Sequence, residues 1–321
     1  MQRDFLPYGC ELSPRYVCED GDVVLVSYPG SGVHWLQQIV QLILNSGQSA
    51  QDYAEFMKRT PFLGRLIAAG RRSHESGSAV SKGPRTLRTH VQVLRGGVPH
   101  SKVKYIYVAR NPWDCCASLY HRVKFSLAKS PAAHEATRSN FDEFFDLFLA
   151  GKFSFGDYFD HVRCAYDHRN EDNVFFVTFE DLKADREAVV LKLGHFLGEE
   201  YGEALENCDE VFKNVCEKSS FDYMKRVYGK EQGLDSSHSA ASASPPGVVE
   251  HVITSGSGFL LQDGNGFCRA LRSGKVNDWK ELFTLEHRDR MKARIAEKTK
   301  GSDLMSLWRL QSRYKSLEAY S

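Results

Sequence analysis

The sequence is poor in the features that send a chain to a membrane, a nucleic acid or a metal. No apolar run is long enough to span a bilayer, and the first residues lack the charged-then-apolar pattern of a secretory signal. Lys and Arg number 42 against 41 Asp and Glu, and a net charge of +1 gives no footprint for nucleic acid or an acidic membrane surface. Eight cysteines are scattered over 321 residues without a close Cys/His cluster of zinc type, and adjacent Cys115 and Cys116 on a predicted helix face different ways. Reduced thiols in a cytoplasmic protein, with no metal, are the expectation. Internal repeats are missing as well. With 42% hydrophobic and 26% charged residues, the chain has the make-up of an ordinary globular protein with a substantial core.

What is present is organised around Asp22–Gly47, which reads strand, tight turn, helix. Val23, Val24, Leu25 and Val26 form the β-branched apolar run of a buried parallel strand. Tyr28-Pro29-Gly30-Ser31-Gly32 breaks it, and Trp35, Leu36, Ile39, Val40 and Ile43 follow at helical spacing, with Gly47 placed to end the helix. Such a turn aims backbone N–H groups and the positive end of a helix dipole at one point, a natural phosphate site. Glycine at such corners also serves close packing alone. Val33 and His34 stand where a Walker lysine would, and the third glycine of the dinucleotide fingerprint is absent. The anion cradle is of another type.

Further strands are predicted at Arg85–His90, Val103–Ala109 and Asn173–Phe179, alternating with helices. Tyr53–Gly70 reads as helical with a break at Thr60-Pro61-Phe62, and Asn111 suits an N-cap ahead of Pro112. Aromatics at helical spacing in Phe141–Phe148 and Asp157–His168 read as core. A helix over Asp185–Leu197 turns Val189, Val190, Leu193, Phe196 and Leu197 inward, and Trp279–Tyr314 closes the chain with helical segments. Residues 1–21 read as irregular, Ser73–Gly83 as an exposed loop, and the Ser/Gly/Pro-rich stretch 229–266 as a mobile insertion in a single domain spanning 1–321. The fold class is α/β, a central parallel sheet flanked by helices. Its carboxyl edge gathers the loop after the first strand, His90 and Arg110. Singly, such a histidine or arginine is ordinarily solvated or structural.

On these residues the chain resembles the cytosolic sulfotransferases, which move a sulfuryl group from PAPS (3′-phosphoadenosine 5′-phosphosulfate) to a hydroxyl or amine. Tyr28-Pro-Gly-Ser-Gly-Val-His-Trp35 resembles the family's 5′-phosphosulfate loop, Arg88-Thr-His90 its catalytic-histidine segment, and Tyr107-Val-Ala-Arg-Asn-Pro-Trp-Asp114 with Ser118 its 3′-phosphate segment. Thr178-Phe-Glu-Asp-Leu182, Ser219-Ser-Phe221 and Arg272-Ser-Gly274…Asn-Asp-Trp-Lys280 follow in the family's order. Members from ticks and other arthropods are the expected nearest kin. The resemblance implies a P-loop-kinase-like fold, PAPS as donor and PAP as product.

The resemblance also assigns roles. Amides of Ser31, Gly32, Val33, His34 and Trp35 hold the 5′ group in the loop that begins at Gly30, and Arg110, Ser118 and Arg272 with Ser273 and Gly274 hold the 3′ phosphate. Trp35 and Phe221 flank adenine, with Phe179, Ser219 and Met224 completing that pocket. His90 is the base, and Phe62, Phe5 and Tyr8 wall an acceptor pocket suited to a phenol or phenolic amine. Lys280–Asp289 resembles a short dimer motif, implying a homodimer. The departures are Gly30 for the loop lysine, Phe179 for a common tyrosine and Ser273 for a basic residue. Loss of one transition-state donor costs about 2.7–4 kcal/mol. Arg88, with His34 second, is the expected substitute, and a PAP-binding pseudo-enzyme with little turnover is the alternative. A small-molecule kinase is disfavoured by the missing Walker lysine.

Overall fold

Four short strands, buried at nearly every residue, form the centre of the computed structural model, which describes residues 18–64, 83–128, 141–229 and 274–308. They are β1 (Val23–Val26), β2 (Thr86–Thr89), β3 (Lys104–Ala109) and β4 (Val174–Thr178), ordered β2-β1-β3-β4 and all parallel. Leu25 pairs with Arg88 on one side and Ile106 on the other, which fixes the register of the middle of the sheet. The fold is therefore α/β with a parallel sheet, as the alternation of elements predicts, and the strand bounds lie within two residues of those expected.

Helix α1 (Val33–Leu44) runs back from the end of β1 and is buried on nearly every side. The Gly47 N–H donates to the Leu42 carbonyl at 2.8 Å beyond its end, so Gly47 closes the helix as expected. Buried α1 also carries amides inward. Gln37 and Gln41 donate to the Phe56 carbonyl at 2.9 and 2.8 Å, stapling helix α2 (Tyr53–Arg59) against α1. The chain then breaks at Thr60-Pro61-Phe62, and Phe62 pairs alongside Arg88 at the edge of β2.

Helix α3 (Pro112–Ala128) opens on Asn111, whose Oδ1 accepts the Asp114 N–H at 2.8 Å while Pro112 takes the first helical position. The aromatic helices α4 (Phe141–Leu149) and α5 (Tyr158–Asp167) are core, as their spacing implies. Thr178 and Asp181 form a reciprocal capping box that turns β4 directly into α6 (Phe179–Ala184). Helix α7 (Arg186–Leu197) buries Val189, Val190, Leu193 and Leu197 as expected, but Phe196 only half: its ring lies tilted against Phe175, with the Lys104 ammonium over it.

Four helices have no counterpart in the sequence reading: the short α6, and α8 (Glu199–Asn207), α9 (Asp209–Lys218) and α10 (Phe221–Tyr228). Toward the C-terminus a 3-10 turn (Asp278–Glu281) and α11 (Leu285–Lys298) stand where helical segments were predicted. Cys115 and Cys116 do face different ways, yet both are fully buried, because α3 lies between the sheet and other packed elements. No helix among the described residues is long and apolar enough to cross a membrane.

Candidate active site

All four strands point the same way, so the loop after β1, His90 after β2 and Arg110 after β3 meet at one edge. The loop is shaped by two left-handed glycines. Gly30 has φ +93, and a Cβ there would lie 3.0 Å from the Cys115 carbonyl. Gly32 has φ +101, and a Cβ there would sit 2.7 Å from the Phe179 ring. At Gly30 both the backbone angle and α3 oppose any side chain, so the departure from the loop lysine is built into the turn.

The cradle is also narrower than the predicted run of residues 31 to 35. The Ser31 N–H donates to the Tyr28 carbonyl at 3.2 Å and the Trp35 N–H to the Gly32 carbonyl at 3.0 Å. The amides of Gly32 and Val33 open α1 and have no acceptor one turn back within the helix. Gly30 presents its carbonyl rather than its amide, accepting from Arg110 at 3.3 Å.

Arg110 is buried, and its guanidinium lies 4.3 Å from the centre of the Phe179 ring. It also donates to the Lys275 carbonyl at 2.9 Å, which joins the sheet edge to the segment beginning at Gly274. Its Nε is buried without a protein partner among the described residues, an orphaned donor beside the anion cradle. That segment is clasped by Asp114, whose carboxylate accepts the backbone N–H groups of Asn277 at 2.7 Å and Trp279 at 3.1 Å. Behind it Glu180, its carboxyl pushed up by burial, accepts from the Asn111 backbone, the Asn111 amide and the Trp308 indole. Half-buried Ser118 stands on α3 between Cys115 and Leu119, the residues that a Cβ on Gly30 would touch.

The remaining predicted nucleotide contacts divide into surface and support. Trp35 is edge-on to Phe179 at 5.1 Å, and its indole N–H donates to the Ser219 carbonyl at 2.8 Å. Phe221 lies against the backbone of Gly274. Ser219 is fully buried with its hydroxyl spent on the Cys216 carbonyl, so it acts here by anchoring Trp35 and not through its side chain. Met224 is fully buried in a cluster with Ala50, Phe56 and Tyr228, against which Trp35 packs. Arg272, Ser273, Phe5 and Tyr8 lie outside the described residues, as does nearly all of the 229–266 stretch.

On the other side of the loop His90 is buried, with Nδ1 at 2.7 Å from the Ser27 carbonyl. A carbonyl only accepts, so Nδ1 carries the proton and Nε2 the lone pair. The imidazole sits between two aromatic rings, Phe62 at 5.6 Å and Phe155 at 5.4 Å. Arg88 shares the Phe62 ring at 5.5 Å, in keeping with the common face predicted for residues two apart on a strand. Its Nε donates to the Thr60 carbonyl at 3.1 Å, and its Nη1 is 3.3 Å from His34 Nε2. Arginine has no acceptor, so His34 Nε2 must accept. His34 thus holds Arg88 in place, and its remaining donor is Nδ1.

Phe155 and His161 were not singled out by sequence reasoning. The His161 Nε2 is 3.0 Å from the His90 carbonyl and its Nδ1 is 2.7 Å from the Tyr107 hydroxyl. Burial lowers the pKa of His161 to about 4, so the ring is neutral. The signal that could have found Phe155 is Phe153-Ser-Phe155-Gly156-Asp157, an aromatic turn ahead of an Asp N-cap. The Cys115 thiol, beside Ser31 and the Pro29 carbonyl, is pushed up to about 12 by burial and is no nucleophile.

The comparisons with known proteins agree with this arrangement. A family model described as the sulfotransferase domain matches residues 20–244. Sulfotransferase 1C2 of Rattus norvegicus is 29% identical over 290 residues, 88% of this chain and 84% of the rat protein. The amine sulfotransferase of Oryctolagus cuniculus is 28% identical over 300 residues, 92% of this chain and 87% of the rabbit protein. Among solved structures, mouse sulfotransferase SULT7A1 complexed with PAP has a TM-score of 0.62 at 24% identity, covering 93% of this chain and 91% of that one. Retinol dehydratase in a complex with retinol and PAP also has a TM-score of 0.62, at 22% identity, covering 89% of this chain and 83% of that one. At these identities the solved structures establish a shared fold.

Proposed function

Because the chain belongs to the sulfotransferase family, we propose that it moves a sulfuryl group from PAPS to the hydroxyl or amine of a small, phenolic acceptor, with His90 as general base. The observation that carries this reading is the His90 tautomer: Nδ1 pinned on the Ser27 carbonyl leaves the Nε2 lone pair for the acceptor proton, in an aromatic slot at the strand edge that bears the anion cradle. The residues also fit the donor. An arginine with an orphaned buried Nε suits a phosphate, and the left-handed glycines open the cradle to backbone donors.

When bound, PAPS supplies the sulfuryl group: the acceptor oxygen or nitrogen bonds to sulfur as the sulfur–oxygen bond to phosphate breaks, its electron pair leaving on PAP. Arg110 and Ser118 with Arg272, Ser273 and Gly274 hold the 3′ phosphate. Gly30, Ser31, Gly32, Val33 and His34 shape the 5′ site, and Trp35, Phe179, Ser219, Phe221 and Met224 build the adenine side. Arg88, charged at every working pH, substitutes for the absent loop lysine. Phe62 and Phe155 exclude water around His90 and select a flat apolar acceptor. A homodimer through Lys280–Asp289, where Leu285 stands 75% exposed, and a cytoplasmic location complete the reading.

The test is transfer from labelled PAPS to a panel of phenols and amines. Turnover with phenols is expected. Tight PAP binding without transfer to any acceptor would favour the pseudo-enzyme, which the lysine-free Gly30 supports as the second reading.

A further inference from the structure

His161 sits 71 residues from His90 in sequence and meets it through the backbone, not through the imidazole. The His90 residue follows the end of β2, so its carbonyl has no place in the sheet ladder. It is buried, and a buried carbonyl needs a donor. His161 supplies one from Nε2 at 3.0 Å. Since a carbonyl only accepts, His161 is the Nε2–H tautomer, and its Nδ1 accepts the Tyr107 hydroxyl at 2.7 Å. The donors run one way: Tyr107 O–H to His161, then His161 N–H to the His90 carbonyl.

Every side of His161 is set for this. Tyr28 stands edge-on at 5.5 Å and Tyr107 tilts over it at 5.7 Å, so the ring is fixed by packing. Its low pKa keeps it neutral in ordinary buffers, with one donor and one acceptor nitrogen. Tyr107 belongs to β3, which pairs with β1, and β1 leads directly to Ser27. Both ends of the His90 residue are thus referred to the middle of the sheet: its imidazole through the Ser27 carbonyl, its peptide through His161 and Tyr107.

We propose that His161, backed by Tyr107, is the positioning residue for His90. It holds the His90 peptide in the one orientation that keeps Nδ1–H on Ser27 and turns Nε2 toward the acceptor slot. It touches neither donor nor acceptor. The proposal rests on the reading of His90 as the base.

The experiment compares His161→Phe, which keeps an aromatic ring but no donor, with His161→Gln, whose amide can restore one to the same carbonyl. A misplacement of the base costs about 10²-fold in rate, so kcat of His161→Phe should fall by that order with the acceptor KM and PAP affinity little changed. His161→Gln should recover most of the loss. Nitrogen NMR of the full chain gives a readout independent of turnover: His90 should be the Nδ1–H tautomer in wild type and in His161→Gln, and a mixture in His161→Phe. A wild-type tautomer and rate in His161→Phe would overturn the proposal. So would failure of His161→Gln to recover while both variants melt at the same temperature. His90→Ala separates the two readings. If it still turns over, His90 is not the base, and the tautomer shifts alone then decide whether His161 orients it.

Discussion

The two faces of the sheet are made of different materials. On one, Val23, Leu25, Ile106, Val108 and Val177 meet helices α1 and α7 in a cluster whose buried members are all valine, leucine or isoleucine. On the other, Val24, Val26, Tyr105 and Tyr107 meet Tyr28, Phe144, Phe145, Phe148 and Tyr158. The aliphatic cluster only packs, since none of its valines, leucines and isoleucines has a polar atom to place. The aromatic face packs and also aims. Tyr28 donates to the Gly156 carbonyl at 3.2 Å, Tyr107 to His161, and Tyr158 to the Arg110 carbonyl. Each phenol is buried by its ring and reaches a backbone or side chain around the candidate site with its hydroxyl. Both clusters carry stability, and the aromatic one also orients the site.

That contrast can be broken in three ways. The largest effect belongs to Leu25→Ala on the aliphatic face, which should cost about 2–5 kcal/mol of stability by urea denaturation while the surviving folded enzyme keeps its acceptor KM. A large KM change would mean that this face aims as well. Next is the acid limb of stability. The folded pKa of His161, about 4, lies below its ordinary value of 6.5, so its contribution is complete above pH 6.5 and is lost as pH falls through 4. Wild type should lose roughly 3 kcal/mol more than His161→Gln over that window, as follows from linkage. Equal losses would show that His161 does not sense the pH there.

The smallest effect separates holding from aiming. Arg110→Ala should weaken PAP by about 1.5–3 kcal/mol and adenosine 5′-phosphosulfate, which lacks the 3′ phosphate, hardly at all. Tyr158→Phe, which removes the donor to the Arg110 carbonyl, should shift the same selectivity by a fraction of that. Calorimetric titration of both nucleotides measures it. If Tyr158→Phe changes only the melting temperature, the phenol packs and does not aim.

The strand–turn–helix around Gly30 and the strands ending at His90 and Arg110 were legible because their signals are local: apolar runs, glycines and an Asn-Pro cap within a few residues. The aiming groups were not. Tyr28, Tyr107, Tyr158 and His161 occupy positions that read as core, and they are core; only their partners, 48 to 128 residues away, reveal the second task. Helices α8 to α10 escaped because their buried residues are sparse, Gly202 and Leu205 in α8 and Val215 and Cys216 in α9, too few to mark a face. The buried amides of Gln37 and Gln41 were equally silent, although they brace α2 and so the Thr60 carbonyl that holds Arg88.

The Asp114 clasp sets an order of assembly. The carboxylate near the start of α3 waits for backbone amides of Asn277 and Trp279, and Arg110 for the Lys275 carbonyl, all made more than 160 residues later. A chain emerging from the ribosome can pair its strands long before these partners exist, with Arg110 and Asp114 buried too early for comfort. On the proposed function, the grip on the donor is therefore completed late, when the Gly274–Trp279 strap reaches the sheet edge.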